Sequence, residues 1–381
     1  MQAFQFDAVD LPPEAEAARR RVREFLAPER ERRRLAQRGS WNRFDPEFSR
    51  RAGAAGFIGV TWPTEFGGRA QSSLVRFVIT EEMLAAGAPC GAHWVADRQS
   101  GPQILRYGSE QAKREILPRI CAGECYFAIG MSEPESGSDL AAVRTRAVRR
   151  DGGWVIDGSK IWTSHAHRAH YLIALVRTGD AGEDRHGGLT QFIVDLSHPG
   201  VTVRPIRNLS GGHEFNEVFF QDFYVPDDMM VGTEGQGWTM VTSELAFERS
   251  GPERFLSDYR LLVELIDKVG TTPDRREAME IGRLVAHLAA LLRMSTAIAG
   301  LLDAGKSPNT EAALVKDVGT AFEREIPEVA RRLVAVEASL DDEDPFAKTL
   351  AHVMLHAPSF TIRGGTREIL RGVIARGLGL R

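Results

Sequence analysis

Asp151-Gly152-Gly153-Trp154-Val155-Ile156-Asp157-Gly158-Ser159-Lys160-Ile161-Trp162-Thr163-Ser164 is the stretch on which the reading of the fold turns. Trp154–Ile156 is a short β-branched and aromatic run closed on both sides by Asp and Gly, which predicts a strand. Runs of the same kind follow at Tyr171–Val176, Gln191–Asp195, Val201–Ile206 and Glu217–Val225. Gly187-Gly188, Pro199-Gly200 and Gly211-Gly212 punctuate them. No helical pattern of about 10–15 residues separates these runs, so a parallel dinucleotide-binding sheet is disfavoured and an antiparallel β barrel or sandwich is expected.

On either side the periodicity changes to that of helices. Pro13–Leu26, Leu74–Ala86 and Ser109–Ile120 precede the strands, and Gly237–Glu248, Arg254–Val269, Arg275–Ala304, Thr310–Leu340 and Pro345–His356 follow them. The long C-terminal segments suit an antiparallel bundle. The expected fold is α+β and mostly α. It comprises an N-terminal all-α domain over 1–122, a middle antiparallel β-barrel domain over 123–232 and a C-terminal four-helix bundle over 233–381.

Composition bounds the function. The 381 residues are 43% hydrophobic and 26% charged, with a net charge of −4. A general nucleic-acid binder would need a basic surplus to pair with phosphates. Arg19, Arg20, Arg21, Arg23, Arg30, Arg32, Arg33 and Arg34 do cluster, but Glu24, Glu29 and Glu31 interleave with them. That mixture reads as a solvated helix face laced with ion pairs. Cys90, Cys121 and Cys125 form no C-x-x-C, so neither a disulfide framework nor a structural zinc is expected, and a reducing cytoplasm fits. Met1–Leu26 has no apolar signal region. Val285–Leu302 is broken by His287 and Arg293 and reads as a buried amphipathic helix rather than a membrane span.

Three segments carry candidate chemistry. Met131-Ser132-Glu133-Pro134-Glu135-Ser136-Gly137-Ser138-Asp139-Leu140 is a tight polar loop that offers hydroxyls and backbone N–H groups. It can serve as a surface turn or as a cradle for a polar ligand edge. Val241, Leu245 and Glu248 are spaced i, i+4, i+7 and share one helix face. Glu248 is then either a desolvated general base or a surface carboxylate paired with Arg249 or Arg254. Pro252 cannot donate an N–H, so a helix through Glu248 must end, loosen or kink there. His165, His167 and His170 cluster after Trp162 without a carboxylate at ligand spacing, which favours polar loop residues over a metal site. No P-loop, strand-linked G-x-G-x-x-G, H-E-x-x-H or EF-hand loop occurs in the sequence.

The Met131–Leu140 loop resembles the T/S-E-P-x-x-G-S-D signature of the acyl-CoA dehydrogenase family. Gly158-Ser159-Lys160-Ile161-Trp162-Thr163-Ser164 resembles the family's G-x-K-x-W strand, in the expected order and spacing. Ile362-Arg363-Gly364-Gly365-Thr366 resembles its C-terminal glycine motif. The resemblance implies FAD as cofactor and an acyl-CoA substrate. The backbone around Ile129, Met131 and Ser132 would face the pyrimidine side of the flavin. Trp162 and Thr163 would border the ring, with Trp162 as its shield, a core tryptophan or both, and Ser164 would lie near N5. Thr366 and Glu368 would serve the rest of the cofactor, and Ser138 and Arg249 the substrate. Many relatives place the catalytic Glu where this chain has Gly364, whereas a smaller subgroup carries it at the position of Glu248. Glu248 would then take the α-proton, with flavin N5 accepting the β-hydride and a trans-2-enoyl-CoA as product.

The family's Arg-x-x-Phe-Gly element and Gly-Gly-x-Gly turn, which help hold the adenosine half, have no counterpart here. Leu340-Asp341-Asp342-Glu343-Asp344-Pro345 stands in place of the turn. The resemblance further implies an electron-transfer flavoprotein as acceptor and a homotetramer or dimer, with a heteromer open. An oxidase or monooxygenase of the same fold, an acyl-carrier-protein dehydrogenase and a flavin-poor partner subunit are the competing readings.

Overall fold

A computed structural model describes residues 4–36, 41–180 and 182–380, and their side chains other than those of 29–36 and 243–248. Of the early basic cluster, the side chains from Arg30 to Arg34 therefore lie outside the described residues, as does the side chain of Glu248.

The helices α1 (Pro13–Ala36), α2 (Pro46–Ala54), α3 (Ser73–Ala85), α4 (Gly101–Tyr107) and α5 (Glu110–Cys121) come first. Their starts are written locally. Asp45, Ser72 and Ser109 cap α2, α3 and α5 by accepting an amide hydrogen three residues on. The sheet follows: β1 (Phe127–Gly130), β2 (Arg146–Arg150), β3 (Gly153–Ser164), β4 (Tyr171–Arg177), β5 (Leu189–Asp195), β6 (Val201–Ile206), β7 (Phe215–Pro226) and β8 (Met230–Val231). The chain then returns to helices with α6 (Gly237–Arg249), α7 (Tyr259–Val269), α8 (Arg275–Asp303), α9 (Asn309–Leu333), α10 (Pro345–Phe360) and α11 (Arg367–Gly377). The architecture is mostly helical with one sheet in the middle, in the expected order.

The strands run β6-β7-β3-β2-β4-β5-β8, with β1 beside β4. The pairings are antiparallel except for β1 with β4 and a single β2–β4 bridge. Two features differ from the sequence expectation. Trp154–Ile156 and the Gly158–Ser164 motif are one continuous strand, bent by two irregularities in its ladder with β7. Phe127–Gly130 and Arg146–Arg150 are strands that the turn punctuation did not reveal. In the helices, Pro252 acts as expected: α6 ends at Arg249 and a single 3₁₀ turn, Pro252–Arg254, replaces the start expected for the next helix.

Contacts group the chain into two compact units. One comprises Asn42–Gln71 and Pro89–Glu244, which includes the whole sheet. Its core gathers Trp154, Ile156, Leu172, Phe192, Val218 and Phe223. Gly101 lets Trp62 pack here, since a Cβ at that glycine would lie 2.0 Å from the indole. The other comprises Met1–Trp41, Ser72–Ala88 and Leu245–Arg381. In it α8 packs on α3 and α9, and Asp303 accepts the first amides of α3 from Ser73 and Leu74. Among the described residues α8 is long and apolar enough to cross a membrane by composition. It is amphipathic as expected but not buried throughout: Leu284, Leu288 and Leu291 are buried, whereas Met279 and Val285 are exposed.

The expected ion-paired face of α1 is partly turned inward. Arg19 and Arg23 reach across to α3, where Glu82 accepts from both at 2.7–2.9 Å. Burial alone would raise the Glu82 pKa, but the two guanidiniums outweigh it and hold the carboxyl below its ordinary range. A depressed carboxyl contributes stability that is present above the unfolded-state pKa and lost as pH falls through the folded one. Glu82→Gln should therefore lose less thermal stability than the wild type between pH 5 and about pH 3.5, as read by circular dichroism melting.

Candidate functional site

The polar loop leaves β1 and is closed by a tight turn. Glu133 N–H donates to the Ser136 carbonyl at 2.8 Å and Ser136 N–H to the Glu133 carbonyl at 3.0 Å. Pro134 presets the first corner of this turn. Ser136 Oγ donates to the Asp139 carbonyl at 2.5 Å, and Ile161 N–H on β3 donates to the Ser132 carbonyl at 2.9 Å. The loop is thus stitched to the second motif by backbone contact.

A buried ion pair anchors the same junction. Lys160 is fully buried and donates to Glu133 Oε1 at 2.7 Å and to the Met131 carbonyl at 3.3 Å. Glu133 also accepts the amides of Arg144 at 2.6 Å and Thr145 at 3.0 Å. Burial would raise the Glu133 pKa, but Lys160 and these amides hold the carboxyl below its ordinary range. Burial pulls the ammonium down to about 8 against the opposing pull of Glu133. Gly158 has φ +138°, and a Cβ there would lie 2.7 Å from Thr145 Cα. That close approach allows Thr145 Oγ1 to donate to the Ser159 carbonyl at 3.0 Å.

Beyond Lys160 the ladder slips. Lys160 pairs with Val218 and Thr163 with Asn216, so Ile161 and Trp162 oppose the single residue Glu217. Trp162 has φ +59° and is 57% exposed. Its indole meets Phe215 edge-on at 5.9 Å. The alternative of a core tryptophan is thereby excluded. Thr163 is fully buried, and its Oγ1 has no hydrogen-bond partner among the described residues. Ile129, Met131, Ser132 and Ser164 are partly buried and Ser138 is exposed. An accessible indole face and an orphaned hydroxyl on one bulge fit a planar, polar-edged ring such as a flavin. Met131 packs with Leu140, Leu175, Leu189, Trp238 and Val241, so the first turns of α6 are seated on the loop's own apolar neighbours.

The second group belongs to the other unit. Gly364 and Gly365 have φ +67° and +98°. Lys316 on α9 is buried and donates to the Gly365 carbonyl at 2.5 Å. The guanidinium of buried Arg249 lies 3.2 Å from where a Cβ of Gly365 would stand. Arg363 donates to Glu323 at 3.0 Å and to Ser257 Oγ at 2.7 Å. Beside this pair Asp258 is buried, and burial together with Glu323 raises its carboxyl well above the usual range. Thr366 caps α11, and Glu368 is exposed in its first turn. The glycine turn is therefore gripped from α9 and touched by the last residue of α6.

One of the three clustered histidines departs from the polar-loop reading. His165 is buried, and burial pushes its pKa down to about 4. His170 is exposed as a polar loop residue would be, and Tyr126 N–H donates to its Nδ1 at 3.1 Å. No group of metal-ligating side chains occurs among the described residues. The acidic 340–345 segment has a local use: Asp344 caps α10 and pairs with Lys268 at 2.8 Å. The sequence reading assigned no role to Glu133, Lys160 or Asn216. Only Lys160 left a signal, an ionisable residue at an inward register of β3.

Three family models match in order: "Acyl-CoA dehydrogenase, N-terminal domain" over residues 12–124, "Acyl-CoA dehydrogenase, middle domain" over 128–223 and "Acyl-CoA dehydrogenase, C-terminal domain" over 235–379. The chain belongs to the acyl-CoA dehydrogenase family. It is an oxidoreductase, and the members of this family are flavoproteins that bind FAD. Acyl-CoA dehydrogenase IpdE1 of Mycobacterium tuberculosis is 33% identical over 359 residues, covering 93% of this chain and 90% of that protein. Acyl-CoA dehydrogenase FadE34 of the same organism is 33% identical over 87% of this chain, which spans only 46% of its length. Among solved structures, the Tcur3481-Tcur3483 steroid ACAD superposes with a TM-score of 0.86 at 28% identity, covering 98% of this chain and 100% of that one. The ChsE4-ChsE5 complex from Mycobacterium tuberculosis gives 0.84 at 29% identity with the same coverage.

Removing one partner of a buried ion pair leaves the other charge uncompensated. Lys160→Met should cost about 3–5 kcal/mol in urea unfolding, and adding Glu133→Gln to it should recover part of that loss.

Proposed function

We propose that this acyl-CoA dehydrogenase carries out FAD-dependent α,β-dehydrogenation of an acyl-CoA thioester to the trans-2-enoyl-CoA, with Glu248 as the α-proton base. The observation that carries the reading is the glycine turn. Gly364 occupies the position of the commoner family base, and its φ of +67° disfavours any residue with a side chain. A carboxylate must then come from another element. Arg249 at the end of α6 reaches this turn, and Glu248 is the residue before it on the same helix.

In this reading Ile129, Met131, Ser132, Trp162, Thr163 and Ser164 hold the ring of FAD, while Thr366 and Glu368 serve the rest of the cofactor. When bound, FAD supplies the hydride acceptor. Ser138 and Arg249 bind the substrate, the latter as a fixed positive charge. Glu248 on its helix abstracts the α-proton, a task that suits a desolvated carboxylate. The domain limits 1–122, 123–232 and 233–381 belong to this proposal, as does an electron-transfer flavoprotein as acceptor.

We further propose that the chain works as one subunit of a heteromeric enzyme on a bulky, steroid-type acyl-CoA. The support is the likeness to two solved two-component assemblies, one of them named a steroid ACAD.

Glu248→Gln should retain FAD but lose anaerobic bleaching of the flavin by acyl-CoA, with the rate falling by about 10²–10⁴-fold. A panel from short-chain to steroid side-chain CoA thioesters identifies the substrate, and an undiminished rate in the variant would sink the assignment of the base.

A further inference from the structure

Two of the histidines around the Trp162 strand act together through one amide. Asn216 on β7 is fully buried and stands opposite Thr163 where the bulge ends. Its Nδ2 donates to the Thr163 carbonyl at 2.9 Å and to the Glu214 carbonyl at 3.3 Å. Its Oδ1 faces His167 Nδ1 at 3.2 Å and His213 Nε2 at 3.0 Å. A carbonyl only accepts, so the NH₂ end of the amide must point at Thr163 and Glu214. Oδ1 also only accepts, so each imidazole must present an N–H to it, from Nδ1 of His167 and from Nε2 of His213. The two rings stack with centroids 4.2 Å apart and planes 14° from parallel. Burial and the neighbouring His213 lower the pKa of His167, which favours its neutral form.

This bracket sits where the backbone needs holding. A non-glycine residue at positive φ persists only where its surroundings over-determine it. The strand ladder is interrupted at Ile161 and Trp162 and resumes at Thr163, whose carbonyl also takes a bond from the Asn216 side chain. We propose that Asn216, oriented by His167 and His213, is a positioning residue that holds the Thr163 carbonyl and thereby aims the Trp162–Ser164 segment at the flavin. The proposal rests on the functional reading above for what the segment faces, but not for how it is held.

The test uses the purified chain. Asn216→Asp keeps the size of the side chain but turns an acceptor toward two carbonyls. His167→Asn and His213→Gln keep an N–H near Nδ1 and Nε2 respectively, whereas His213→Ala removes it. Hydrogen exchange over residues 161–166 and the Kd for FAD, with the visible flavin spectrum, are the readouts. Melting curves establish that each variant is folded. Asn216→Asp is expected to exchange about tenfold faster there and to bind FAD about tenfold more weakly, with His213→Ala changing in the same direction. His167→Asn and His213→Gln are expected to stay within about twofold of the wild type. Unchanged exchange in Asn216→Asp, or in His213→Ala should the first variant not fold, overturns the proposal. Faster exchange with unchanged FAD affinity and spectrum also overturns it. A wild-type chain that takes up no FAD fails the functional reading instead, and exchange over 161–166 still decides whether Asn216 holds the strand.

Discussion

The sheet-bearing unit is organised around one buried charge pair. Lys160 and Glu133 lie 2.7 Å apart with little access to water. Such a pair gains little net stability over a well-packed apolar core, because both ions lose their hydration. Its value here is in what it specifies. The ammonium also takes the Met131 carbonyl, and the carboxylate also takes two amides after the loop. Leaving any of these groups unpaired in the interior is costly, so the loop has one satisfactory arrangement. The residues proposed to face the flavin ring inherit their position from that constraint.

The strand that supplies Lys160 also carries a deliberate irregularity. An unbroken antiparallel ladder would have turned Trp162 to the same face as Lys160 by simple alternation. The extra residue instead exposes the indole and buries an unsatisfied hydroxyl beside it. Strained and unsatisfied groups of this kind concentrate where a ligand completes them. Asn216, held by the two stacked imidazoles, adds a side-chain bond to the Thr163 carbonyl where the ladder resumes after the bulge.

In the helical unit the comparable constraint is the Gly364-Gly365 turn. Its positive φ angles call for glycine, and Lys316 and Arg363 tie it to α9 through buried contacts. In the proposed reaction the same glycine leaves no carboxylate at this turn. The Arg249 guanidinium at the end of α6 reaches this turn, and the proposal of Glu248 as base rests on its being the preceding residue.

Much of this was legible in the chain itself. Strand and helix periodicity reports which side of each element meets the core, so the helix–sheet–helix order could be read directly, whereas the helix expected over Thr310–Leu340 ends at Leu333. The two motifs could be read because small, polar and glycine residues at fixed spacing have few conformations. Phe127–Gly130 and Arg146–Arg150 escaped, the first for its brevity and the second because its arginines mask the strand pattern. The facing of Arg19 toward Glu82, the burial of His165 and the joint roles of Glu133 with Lys160 and of Asn216 with His167 and His213 belonged to the tertiary structure alone. Most of these contacts join residues far apart in sequence at buried or partly buried polar groups, and no local pattern encodes which polar group will find which partner.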